Sequence, residues 1–131
     1  MGEAPLAIVL AAGLSTRMKS KIPKVLHPLA GRPLLAHVLE TVRAAGARPL
    51  VVVSKESASA GALLDDDGGV AVQDPPRGTG DAVRVALASA NGATGTAYIV
   101  YGDTPLLRAE TLRRLRRAGL DARPRRLGFT P

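Results

Sequence analysis

With 131 residues, 46% of them hydrophobic, the chain can build one modest core; it has no cysteine, which excludes disulfides, thiolate metal sites and cysteine nucleophiles. No apolar run approaches the ~18 residues of a membrane span, and residues 1–5 carry Glu3 where an export signal needs positive charge. The net charge of +7 invites a nucleic-acid reading, but +6 of it lies from residue 108 onward, and three aromatics (Tyr98, Tyr101, Phe129) are too few for base stacking. The expectation is a cytoplasmic protein with no membrane or nucleic-acid partner.

The first element is the strand PLAIVL, residues 5–10, which runs directly into LAAGLSTRM. Small residues at Ala11, Ala12 and Gly13 let backbone approach a ligand closely. Ser15, Thr16 and Arg17 follow with hydroxyls and a guanidinium fork suited to phosphate oxygens. The spacing matches neither G-x-G-x-x-G nor a Walker loop. On these residues alone the stretch is either a tight strand-to-helix turn or a loop for a phosphate-bearing ligand.

KIPKVLHPLAGRP comes next. Pro23 fixes its own φ and restricts the residue before it, so Lys24 stands on a stiffened loop. It is either a point charge for a phosphate or an ordinary surface lysine. Residues 33–45 predict a helix with Leu34, Leu35, Val38, Leu39 and Val42 on one face and Gly46 as its stop. His27 and His37 lie in apolar contexts and are read as packing or capping groups. PLVVV (49–53) and GVAVQ (69–73) predict strands, and the run Asp65-Asp66-Asp67 before Gly68-Gly69 predicts a solvated turn.

Gln73 ends the third strand, and Gly78-Thr79-Gly80 opens a helix over 81–90. Free N–H groups at that helix start suit an anion or a base carbonyl, and the glutamine amide can both donate and accept. TAYIVY (96–101) predicts the fourth strand and leads into YGDTPLL. Asp103 there either holds Mg²⁺ together with substrate phosphates or stabilises the turn before Pro105. The Arg/Pro-rich remainder suggests a frayed helix followed by coil.

Alternating strands and helices predict an α/β, Rossmann-like, mainly parallel sheet with helices on both faces. Nearly continuous apolarity predicts strands buried on both sides. In such sheets ligands sit beyond the carboxyl ends of the strands, which here read Ala11-Ala12-Gly13, Ser54-Lys55, Gln73-Asp74 and Gly102-Asp103. Four strands are few for an open sheet, so a truncated one is expected. Residues 1–118 are expected to form this sheet and its helices, and 119–131 an irregular tail.

LAAGLSTRM, PKVLHPLAGRP, RGTGDAV and YGDTPLL, in this order and spacing, resemble the N-terminal part of the N-acetylglucosamine-1-phosphate uridylyltransferase domain of the bacterial bifunctional UDP-N-acetylglucosamine biosynthesis enzymes, within the nucleotidyltransferase superfamily. The resemblance covers roughly residues 6–118. It implies transfer of a uridylyl group from UTP to N-acetylglucosamine 1-phosphate, with pyrophosphate released and Mg²⁺ as cofactor, in cell-wall precursor synthesis.

It further implies that Leu10, Ala11, Ala12 and Gly13 border the uridine and that Gln73, Gly78 and Thr79 recognise uracil. Tyr101 and Gly102 would line the nucleotide cleft, Arg17 and Lys24 would act catalytically on the triphosphate, and Asp103 would hold the metal. The chain departs from the family at Ser15-Thr16, where Gly-Thr is usual. The family's later strands, sugar-binding residues, second metal ligand and acetyltransferase domain lie beyond residue 131, so neither acetyl transfer nor coenzyme A binding is expected. Competing readings are a CTP- or dTTP-using nucleotidyltransferase, a nucleotide-binding module without turnover, and a basic nucleic-acid binder working through the tail.

Overall fold

The computed structural model describes residues 4–12, 22–64, 68–75, 77–90 and 96–121. Strand β1 (Leu6–Ala11) is followed by a 3₁₀ turn (Lys24–Leu26) and a short antiparallel hairpin, β2 (Pro28–Leu29) and β3 (Arg32–Pro33). Helix α1 (Leu34–Ala44), strand β4 (Arg48–Val53), a 3₁₀ segment (Ala58–Leu63), strand β5 (Gly69–Val72), helix α2 (Thr79–Ser89), strand β6 (Ala97–Tyr101) and helix α3 (Ala109–Asp121) complete the order.

The main sheet is parallel and ordered β5-β4-β1-β6. The chain steps outward from β1 through β4 to β5, then returns to the far side of β1. The switch point therefore lies between β1 and β6, the place in an open α/β sheet where a crevice opens beyond the carboxyl ends. Register keeps those ends level: Leu10 lies opposite Val52 and Tyr101, and Val53 opposite Ala11 and Val72.

Alternation along the strands sorts side chains to two faces. Ala7, Val9, Val51, Val53, Tyr98 and Val100 pack with Leu35, Val38, Leu39 and Val42 of α1 and Leu112 of α3. Ile8, Leu50, Val52 and Ala71 pack on the other face with Ala82 and Ala86 of α2. The α/β class and the positions of the four long strands and two helices agree with the sequence reading.

Burial on both faces holds for β1 and β4, but fails for the outer strands. Val70 and Val72 on β5, and Ile99 and Tyr101 on β6, are exposed. No described helix covers the Ile99 face of β6, and the Val70 face of β5 meets only the 3₁₀ segment, so continuous apolarity does not translate into two-sided burial. Helix α3 runs through Asp121, past the boundary expected at residue 118.

The hairpin is absent from the elements that periodicity predicts, and its function is positional. His37 of α1 bonds the Leu29 carbonyl through Nε2 at 2.7 Å, and the Leu34 N–H donates to the His27 carbonyl at 2.9 Å. His27 bonds the Ile22 carbonyl through its own Nε2 at 3.0 Å, so both histidines cap backbone, as the sequence suggested. Arg32 and Glu40 add a 2.6 Å ion pair that lowers the Glu40 pKa below its ordinary value, mainly through the hydrogen bond from Arg32. Both side chains are exposed, and such a pair contributes little stability. The 3₁₀ turn carrying Lys24 is thus tied to α1 at its far end and pinned to the core by buried Val25.

Candidate functional site

At the carboxyl ends of the sheet, a cavity of about 270 Å³ opens between the end of β1, the Lys24 turn, the β5–α2 connection and the end of β6. Its wall contains Leu10, Ala12, Lys24, Gln73, Gly78, Thr79, Tyr101 and Asp103, eight of the positions singled out in the sequence. They come from four separated segments, brought together because the strand ends are level. Gly13 and Arg17 lie outside the described residues, as does the run 65–67.

Ala11 and Gly102 lie beneath the cavity rather than in its wall. Ala11 is buried in the core between sheet and α1. Gly102 donates its N–H to the Leu10 carbonyl at 2.9 Å, which brings the turn after β6 down onto the end of β1. A Cβ at this position would lie 3.0 Å from the Leu10 oxygen and 3.2 Å from both Leu35 Cδ1 and Val25 Cγ1. Two of those neighbours are core side chains and the nearest is backbone, so none can yield easily. Gly102→Ala is expected to destabilise the fold by about 1–3 kcal/mol, as overpacking does. A urea midpoint equal to that of the parent would contradict this close packing.

Asp103, one residue further on, projects from that turn. Its Oδ2 lies 3.0 Å from Lys24 Nζ, with the aspartate side chain 28% exposed and the lysine 54%. Thr104 Oγ1 donates to the Tyr101 carbonyl at 2.8 Å and closes the turn. The alternative role for Asp103, capping this turn, is thus filled by Thr104.

A divalent cation fits this donor set in one particular way. The described residues contain no group of three or more histidines, aspartates or glutamates placed to cage a metal ion. One partly exposed carboxylate, set beside Lys24 at the cavity, suits a hard ion that keeps most of its shell as water and phosphate oxygens.

On the opposite side, Gln73 is only 3% exposed. Its Nε2 donates to the Gly78 carbonyl at 3.2 Å and to Asp81 Oδ2 at 2.9 Å. Arg84 in turn grips Asp81 Oδ1 with Nε at 3.1 Å and an Nη at 2.7 Å. The hydrogen bonds from Gln73 and then Arg84 hold the Asp81 carboxyl below the ordinary aspartate range, so it is ionised at neutral pH. Gly78, at φ +93, is the N-cap of α2 and makes no side-chain cap. The first N–H groups of α2 therefore have no partner within the helix.

Sequence reasoning missed Val25 and Ala82 as wall residues and the Asp81–Arg84 pair as a support. The pair did carry a signal, an acid and a base three residues apart on a predicted helix. Across the neighbouring strand ends, Lys55 and Asp74 form a further ion pair at 3.0 Å. No described helix is long and apolar enough to cross a membrane.

Comparison with known proteins agrees with this fold. The model of the MobA-like NTP transferase domain matches residues 7–126. The chain is 50% identical over 114 residues to the bifunctional protein GlmU of Parvibaculum lavamentivorans, covering 84% of this chain and 25% of that protein. It therefore spans about a quarter of the length of that curated relative. The crystal structure of Rv0371c from Mycobacterium tuberculosis matches with a TM-score of 0.74 and 32% identity, over 91% of this chain and 62% of that one. A manganese complex of Rv0371c gives 0.71 and 28%, over 89% and 60%.

Proposed function

The chain belongs to the MobA-like NTP transferase domain family, and from that premise we propose that it is the nucleotide-binding part of a uridylyltransferase acting on N-acetylglucosamine 1-phosphate. The reaction is nucleotidyl transfer. A phosphate oxygen of the sugar phosphate attacks the α-phosphorus of UTP; the bond from that phosphorus to the bridging oxygen breaks, and pyrophosphate leaves with the electron pair. The attacking oxygen already carries negative charge, so no general base is required.

The observation that carries the reading is one cavity at the sheet's switch point, walled by a buried amide and a helix start on one side and a lysine–aspartate pair on the other. In this reading Gln73, Gly78 and Thr79 take the uracil, with Leu10, Ala12 and Tyr101 bordering the nucleoside. Lys24 supplies positive charge to the triphosphate, and Arg17, which lies outside the described residues, is assigned the same task. Such transfers depend chiefly on positioning and electrostatic stabilisation, which is what these groups offer.

Asp103 is the residue to hold a divalent cation, and Mg²⁺ bound there beside phosphate oxygens would neutralise charge on the triphosphate. The manganese complex of Rv0371c and the identity to GlmU support a metal-dependent transferase that uses a nucleoside triphosphate and a sugar phosphate. The cytoplasm is the compartment proposed for it, since nucleoside triphosphates are made and kept there.

Thermal unfolding with Mg²⁺, alone and with UTP, CTP or ATP at equal concentration, tests the reading. A ligand bound only by the folded chain raises its stability by about 2.7 kcal/mol at a hundredfold excess over Kd. UTP is expected to raise the melting temperature most. A cooperative melt indifferent to every nucleotide would overturn the assignment.

A further inference from the structure

The carboxamide of Gln73 is held in one orientation. Both Nε2 protons are engaged, one by the Gly78 carbonyl and one by Asp81 Oδ2. Turning the amide over would set Oε1 against a carbonyl oxygen and a carboxylate, three acceptors with no proton among them. Among the described residues no donor engages Oε1, although the side chain is almost fully buried in the cavity wall. Arg84 fixes the carboxylate itself by taking Oδ1 and leaving Oδ2 for the glutamine.

A nucleobase meeting this wall finds an acceptor whose polarity cannot be reversed. Uracil offers an imide N–H between two carbonyl oxygens, so its donor suits Oε1 and a carbonyl suits an N–H at the start of α2 that has no partner within the helix. Cytosine has the inverse edge, a ring acceptor beside an amino donor, and its ring nitrogen would face Oε1 acceptor to acceptor. A freely rotating glutamine would accommodate either base.

We propose that Asp81 is a positioning residue for base specificity: by locking the Gln73 amide it makes the cavity accept an imide base and reject cytosine. This rests on the reading above that the cavity takes the base of a nucleoside triphosphate. Arg84 supports Asp81 from the solvent side.

The test is the affinity of the intact chain for UTP, CTP and inorganic tripolyphosphate, measured by calorimetry on the parent and on Asp81→Ala, Arg84→Ala and Gln73→Ala. In Asp81→Ala the preference for UTP over CTP is expected to fall about tenfold, the worth of roughly one hydrogen bond. Part of that fall comes from tighter CTP binding, and tripolyphosphate affinity stays at the parental level. General damage to the site would weaken all three ligands and could not improve CTP. Arg84→Ala, which only frees the carboxylate to rotate, is expected to lower the preference by a smaller factor.

A parental UTP-to-CTP ratio in Asp81→Ala and Arg84→Ala, beside a collapsed ratio in Gln73→Ala, would overturn the role of Asp81 while leaving Gln73 as the base reader. A parent chain with no preference for UTP would overturn both the proposal and the reading beneath it.

Discussion

Asp103→Asn is expected to abolish the Mg²⁺ dependence of UTP binding, whereas Lys24→Ala is expected to weaken UTP about tenfold or more whether or not the ion is present. The estimate for the lysine follows from one charge-assisted hydrogen bond, roughly 1.5–3 kcal/mol. In the unliganded chain the two side chains neutralise each other at 3.0 Å. Both are partly exposed, so the pair contributes at most about 1 kcal/mol and separates readily. In the proposed reading, an arriving triphosphate would give the ammonium a better partner in its phosphate oxygens and release the carboxylate for a cation.

The sign of the Asp103 effect depends on the medium, which makes it a sharp test. With Mg²⁺ present, Asp103→Asn loses the ligand for the ion and binds UTP more weakly than the parent. With the ion chelated, the parent carboxylate repels the triphosphate while asparagine does not. The variant should then bind as well as the parent or better. Calorimetric titration of UTP with Mg²⁺ and with chelator reads both signs, and equal affinities across parent and variants would remove Lys24 and Asp103 from the site.

The legible part of the fold was the part governed by periodicity. PLVVV reads as a buried strand because apolar residues run without alternation, and β4 is covered on both faces. The same pattern in TAYIVY misleads about Ile99 and Tyr101, because whether an edge strand is covered depends on neighbours remote in sequence. The β2–β3 hairpin was illegible for a related reason. Its strands are two residues each and contain Pro28 and Pro33, and what holds the first is the ring of His37 eight residues beyond Leu29.

Site residues divide along the same line. Lys24, Gln73 and Asp103 stand out as polar groups at strand ends or on stiffened turns, where topology brings them together. Ala11 and Gly102 occupy equivalent sequence positions but sit below the wall, since a residue's height above the sheet is decided by local turn geometry. The link from Gln73 through Asp81 to Arg84 needed coordinates, because nothing in the spacing says which way an amide faces.

Leu35→Ala is expected to cost about 2–5 kcal/mol, the range for deleting a buried leucine, and to weaken the site as well. Leu35 has 0% exposure in the first turn of α1, where it packs against the sheet. Such a loss is a large share of the about 5–15 kcal/mol by which a domain is stable. Leu106→Ala is the matched control: its side chain is 89% exposed, and its effect should stay within about 0.5 kcal/mol.

The effect on the site follows from what Leu35 touches. Its Cδ1 and Val25 Cγ1 both press on the position of Gly102, so one side chain buttresses the turn carrying Asp103 while its neighbour anchors the turn carrying Lys24. Combining Leu35→Ala with Gly102→Ala separates this role from simple cavity formation. The new methyl would then find the space left by Cδ1, although the Leu10 oxygen at 3.0 Å still opposes it. The double variant should therefore lose less stability than the two single losses together, by about 0.5 kcal/mol or more, as residues in contact do. Additive losses in urea unfolding, with parental UTP affinity in Leu35→Ala, would mean that the core does not hold the lysine and aspartate turns in place.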